Sequence, residues 1–152
     1  MERIYLDTSV FGGYFDPEFE LWTKILFEKI QQGDYRILYS RLTDIELVPA
    51  PEKVRTLAKS LPETTFEFID ISDRAIELAQ HYINGNVVGK TSMGDCIHIA
   101  LATIHNADIL VSWNFKHIVN INKIRGYNSV NYKLGHKILE IRTPREILEY
   151  ED

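Results

Sequence analysis

"RIYLDTSVFGGY", residues 3–14, holds the reading that decides the fold. Ile4, Tyr5 and Leu6 form a short apolar run of the kind that enters a core as a strand, and Asp7 ends it, with Thr8 and Ser9 directly behind. A strand ending on a carboxylate has two readings. Asp7 satisfies backbone donors of the turn that follows, or it belongs to a site at the strand's carboxyl end.

Outward from this stretch, short apolar runs alternate with longer amphipathic ones. The segment 17–32 reads as a helix, with Asp16 as N-cap, Pro17 at the first helical position and Gly33 past its end. Phe19, Trp22, Leu26 and Ile30 mark its apolar face at spacings of three and four. A strand is predicted over 35–40, a short helix over "LTDIELV" (42–48) stopped near Pro49, and another helix over 51–61. Strand 66–71 precedes a helix over 73–83 capped by Ser72 and ended at Asn84-Gly85. A glycine-bearing loop, 84–94, leads to the helix 95–105 and the strand 108–113. Residues 115–136 are less regular and read as a short helix and a loop, before a last strand in 137–144 and a final short helix in 145–150. Strands alternating with helices predict an α/β fold, a three-layer α/β/α sandwich around a mostly parallel sheet. A length of 152 residues suits one domain over 1–152.

Composition narrows the function classes. No apolar run approaches the roughly 20 residues of a membrane span, and no signal-peptide pattern opens the chain, so a cytoplasmic protein is expected. Cys96 is the only cysteine, which rules out an internal disulfide and a cysteine-rich zinc site. The net charge is −5, but Ile109–Leu139 contains no Asp or Glu and carries Lys116, Lys123, Arg125, Lys133 and Lys137. One part of the protein can therefore face a polyanion that the rest repels.

In an open α/β sheet, ligands bind beyond the carboxyl ends of the strands. Asp7 follows the first strand, Glu46 lies in the helix after the second, Asp95 opens the helix after the glycine loop, and Asn114 follows strand 108–113. Each has a structural role open to it: a turn cap for Asp7, an exposed helical position for Glu46, an N-cap for Asp95, a loop position for Asn114. Together they place three carboxylates and an amide at equivalent topological positions. Clustered carboxylates raise one another's pKa, and a divalent cation such as Mg²⁺ or Mn²⁺ suits such hard oxygen donors. A P-loop is missing, "LDTS" lacks the second Asp of haloacid-dehalogenase-like phosphatases, and no nucleophile elbow occurs. His98, one turn after Asp95, is within reach of the site, but a solvent-facing or packing role is favoured for it; Trp113 and Phe115 read as core residues that also have the faces to stack bases.

"YLDTSVF", "YSRLTDIEL", "GDCIHIALA" and "ADILVSWNFKHI" in this order resemble the PIN-domain ribonucleases, specifically the VapC-like toxins of prokaryotic toxin–antitoxin pairs. The resemblance implies a Mg²⁺- or Mn²⁺-dependent endoribonuclease acting on single-stranded RNA. Asp7, Glu46 and Asp95 would be its catalytic metal ligands, and Thr8 or Ser9 would support Asp7 through a hydroxyl. It further implies a cognate antitoxin partner and a homodimer. The fourth acid of the family is replaced here by Asn114, and the preceding Thr by Ser112. Asn114 brings a carbonyl but no charge, which motivates an alternative: a PIN-like module that binds RNA or protein with little or no catalysis. Lys90, Lys116, Lys123 and Arg125 are the candidate phosphate contacts, positioning a strand without reading its bases.

Overall fold

The structure is a computed structural model that describes residues 1–89 and 92–149. Five strands, β1 (Glu2–Leu6), β2 (Tyr35–Ser40), β3 (Phe66–Ile69), β4 (Ile109–Val111) and β5 (Glu140–Arg142), form one sheet in the order β3-β2-β1-β4-β5. Every pairing is parallel, with Ile4 in register with both Ile37 and Ile109. The central strand β1 is apolar at Ile4, Tyr5 and Leu6 because the sheet is covered on both faces.

Alternation along the strands builds two cores. Tyr5, Leu38, Leu110 and Ile141 point to one face, where α5 (Asp73–Asn84), α6 (Met93–Ile104) and α7 (Ile121–Lys133) pack. Ile4, Leu6, Ile37, Val111 and Trp113 point to the other. There they meet α1 (Thr8–Gly13), α2 (Glu20–Gln31), α3 (Arg41–Leu47), α4 (Glu52–Lys59) and α8 (Pro144–Leu148). The helix caps follow local chemistry. Ser40 accepts from Thr43 N, Ser72 from Ala75 N, and Thr143 with Glu146 closes a capping box at α8. The α/β/α layering and the parallel sheet expected from the sequence are therefore present.

Four local expectations are corrected. Residues 8–13 form α1, which the two glycines of "TSVFGG" concealed. The 17–32 helix starts later, at Glu20 with Phe19 as N-cap, because the Asp16 side chain accepts from Glu18 N in a turn ahead of it. Asp95 is the third residue of α6, not its N-cap; that position belongs to Ser92. The segment 115–136 holds a regular helix, α7. Its sequence "INKIRGYNSVNYK" is rich in weak helix formers, and packing holds it: Tyr127 and Asn131 are fully buried, and Asn131 binds Tyr82 and Thr103.

The chain runs outward from β1 to β2 and β3, then returns to place β4 on the other side of β1. The strand order reverses between β1 and β4, and their carboxyl ends open the crevice where such sheets bind ligands. Asp7 N donates to Val111 O, so Asp7 and Ser112 leave the sheet side by side at that point.

Candidate active site

Asp7 stands at the N-cap position of α1, yet its side chain makes no capping bond. Its Oδ2 instead accepts from Ser9 Oγ at 2.6 Å and Ser112 Oγ at 2.5 Å. Those hydroxyls are themselves fixed: Ser9 Oγ accepts from Trp113 N at 3.0 Å and Ser112 Oγ from Asn114 N at 2.9 Å. The turn-capping reading of Asp7 is thus replaced by a carboxylate clamped between the ends of β1 and β4. Ser9 supports Asp7; Thr8 does not, since its hydroxyl donates to Glu46 Oε1 at 2.5 Å.

Glu46 on α3 faces α6. A Cβ built on Gly94 would stand 3.3 Å from Glu46 Oε2, so the carboxylate reaches the first turn of that helix. Oε1 also meets His98 Nε2 at 2.6 Å. His98 is 1% exposed, and its Nδ1 meets the Tyr5 hydroxyl at 2.6 Å. Tyr5 donates onward to Ser40 Oγ at 2.9 Å, which leaves its oxygen to accept from Nδ1. With Nε2 facing a carboxylate, this arrangement favours a proton on both ring nitrogens. Burial by itself would lower the pKa of the imidazole. The hydrogen bond to Glu46 and the charge of Asp7, whose Oδ1 lies 3.9 Å away, raise it instead. Burial likewise pushes Glu46 up, but the bonds to His98 and Thr8 and the charge of His98 bring it below the ordinary carboxylate value. The solvent-facing role expected for His98 is overturned: it is buried and packed against Tyr5, and it approaches the site as its position one turn after Asp95 allowed.

Asp95 has no cationic partner at hydrogen-bond distance among the described residues. Burial raises its pKa, and the charge of Asp7 adds to the rise. Asn114 Nδ2 donates to Asp95 Oδ1 at 3.3 Å, while its own carbonyl accepts from His117 N at 3.0 Å. Asn114 therefore acts toward Asp95 as a donor, not as a further acid. Next to it, Trp113 is buried with its indole N–H on Thr23, whereas Phe115 is exposed, against the core role expected for it.

The four positions picked from the sequence thus lie at the carboxyl-end side of the sheet, linked indirectly through Ser112, Thr8 and His98. Among the described residues, no three His, Cys, Asp or Glu side chains stand together as a ready-made metal-ligand cluster. Lys116 is exposed in the loop after Asn114 and Arg125 is exposed on α7, but Lys123 is committed elsewhere, its Nζ donating to Val87 O at 2.7 Å. Lys90 lies outside the described residues. No described helix is long and apolar enough to cross a membrane.

The family model of the PIN domain matches residues 4–116, from the middle of β1 to two residues past Asn114. The chain belongs to the PIN domain family. PIN domains are generally nucleases. No curated protein matches the sequence. Solved structures share the fold. VapBC2 from Rickettsia felis, bound to a DNA fragment from their promoter, aligns at TM-score 0.55 and 15% identity over 93% of this chain and 98% of that one. FitAcB from Neisseria gonorrhoeae aligns at TM-score 0.58 and 14% identity, covering 93% and 97%. DNA-bound VapBC from Salmonella typhimurium aligns at 0.56 and 16%, covering 95% and 99%. Identities this low speak for the architecture of this PIN domain, and its chemistry has to be argued from its own residues.

Proposed function

We propose that this PIN domain is a cytoplasmic Mg²⁺- or Mn²⁺-dependent endoribonuclease that hydrolyses single-stranded RNA, the toxin of a toxin–antitoxin pair. The observation that supports the reading is the chain of hydrogen bonds that links Asp7, Glu46 and Asp95 to shared partners at the carboxyl ends of β1 and β4, with Asp95 raised first by burial and then by the charge of Asp7. A divalent cation relieves that repulsion. The donor set fits one: hard carboxylate oxygens are what Mg²⁺ takes, and it usually uses one or two of them with water completing its shell, so a prebuilt cage is not required. Asp7, Glu46 and Asp95 would hold it, and it would supply an activated water and neutralise charge on the phosphate.

The remaining residues orient these three. Ser9 and Ser112 fix the rotamer of Asp7, Thr8 and His98 fix Glu46, and Asn114 holds Asp95. A carboxylate held on two hydroxyls loses little freedom when it meets its ligand, which is the benefit of preorganisation. The likeness in fold to VapBC2 and FitAcB supports an antitoxin partner, and the family resemblance supports a homodimer. Purified protein should cleave single-stranded RNA with Mg²⁺ or Mn²⁺ and stop with chelator. Asp7→Asn and Asp95→Asn should each abolish cleavage, and an unchanged rate in either would remove that residue from the site. Expression should slow growth unless the antitoxin is present; if growth never slows, the toxin assignment falls.

Asn114 favours a second reading, a module that binds RNA or protein with little catalysis, because the fourth corner supplies a donor where the family has an acid. Such a module would bind RNA uncut and gain no thermal stability from Mn²⁺ that Asp7→Asn or Asp95→Asn removes.

A further inference from the structure

We propose that Phe115 is a stacking platform for an unpaired base flanking the scissile bond, with Lys116 meeting an adjacent phosphate. The inference rests on the nuclease reading above and adds to it how the strand is held. Trp113 and Phe115 are near neighbours in sequence with opposite fates. Trp113 is buried, its ring stacked on Phe19 at 4.5 Å and 22° and its N–H bonded to Thr23. Phe115 is 51% exposed, and its ring centroid lies 6.2 Å from those of both Phe19 and Trp113. The aromatic pair below supports one side of the ring and leaves another in water.

Single exposed apolar side chains are common on protein surfaces; the position of this one sets it apart. The residue before it, Asn114, donates to Asp95, and Ser112 clamps Asp7. Phe115 therefore sits in the same short segment that contacts Asp7 and Asp95. Lys116 follows directly, exposed, with no carboxylate paired to it among the described residues. The surrounding 109–139 stretch has no acid to repel a phosphate backbone. An aromatic face accepts any base, provided that the base is out of a duplex, and a neighbouring cation tracks the backbone. The pair therefore selects single strands without selecting sequence.

The test uses the full chain carrying Asp95→Asn, free of divalent metal, with single-stranded oligoribonucleotides bearing 2-aminopurine at successive positions. Quenching of that base at one position is expected, retained with Phe115→Tyr. Phe115→Leu should lose it and bind about tenfold more weakly. A hairpin burying the same base should show no quenching. Unchanged quenching and affinity in Phe115→Leu would overturn the platform, as would binding without quenching at any position or no binding at all. RNA cleavage by the otherwise native chain, abolished by Asp95→Asn, is measured separately, so the platform can fail while the nuclease reading stands.

Discussion

His98 joins Glu46 to Tyr5: its Nε2 lies 2.6 Å from Glu46 Oε1 and its Nδ1 2.6 Å from the Tyr5 hydroxyl. Tyr5 sits in β1 two residues before Asp7, and His98 sits in α6 three residues after Asp95. One buried ring therefore ties together the three elements that carry the carboxylates.

Replacing His98 by Ala leaves the Tyr5 hydroxyl and Glu46 without their ring partner and opens a void in a packed layer. An unsatisfied buried group costs about 1–3 kcal/mol, so urea unfolding should show a loss of about 2–3 kcal/mol. Glu46 is 35% exposed at its side chain, and solvent screening limits its share. A double-mutant cycle of His98→Ala with Glu46→Gln should give a coupling of about 1 kcal/mol. Strict additivity would mean that the pair contributes nothing.

The same pair sets a pH window. The folded-state pKa of His98 is raised from 6.5, so its contribution is complete below that value and is lost as pH rises through the folded value. The folded-state pKa of Glu46 is lowered from 4.5, so its contribution is complete above that value and is lost as pH falls through the folded one. The stability gap between the native chain and His98→Gln should be widest between about pH 4.5 and 6.5 and narrow on the alkaline side. Thermal melts across pH check this, and a gap that widens with alkalinity would mean that the ring is neutral in the fold.

Asp7 is 4% exposed and depends on two hydroxyls. Hydrogen bonds to a charged group contribute about 1.5–3 kcal/mol, so Ser9→Ala and Ser112→Ala should each destabilise by about 1–2 kcal/mol once relaxation and water entry offset part of the loss. Each change also frees a backbone amide, that of Trp113 for Ser9 and that of Asn114 for Ser112. Their sum should exceed the double variant's loss, since both bonds end on the same oxygen. Chemical denaturation of the three variants measures it.

What the sequence made readable follows from range. The apolar run in "RIYLD", the Ser72 cap and the apolar face of α6 are local patterns, and each element formed where its residues favour it. That Asp7, Glu46, Asp95 and Asn114 lie on the same side of the sheet could be reasoned out because topology puts strand ends together. The α7 helix could not: its cohesion comes from Asn131 reaching Tyr82 and Thr103 across to α5 and α6. The partner exchange between Thr8 and Ser9 was equally hidden. The first turn of α1 aims the two hydroxyls at different carboxylates, and composition carries no trace of that. The raised pKa of His98 depends on Glu46 and Asp7, which come from elements far apart in the sequence.

Gly13 connects helix α1 to the loop that carries Asn114 and Phe115. A Cβ on Gly13 would lie 2.7 Å from Trp113 Cδ1 and 2.8 Å from Nε1, inside any tolerable contact. The indole has nowhere to retreat, being stacked on Phe19 and bonded to Thr23. Gly13→Ala should cost about 1–3 kcal/mol by overpacking and shift the tryptophan emission. It should also disturb Asn114, which follows the displaced ring. Gly12 is the internal control, exposed and with nothing within 4 Å of an added Cβ. There Ala replaces Gly in a helix at no steric cost and should stabilise by about 0.5–1 kcal/mol. Urea melts of the two variants should move in opposite directions. If both stabilise, Trp113 is free to move and the loop after β4 is not held by the glycine beneath it.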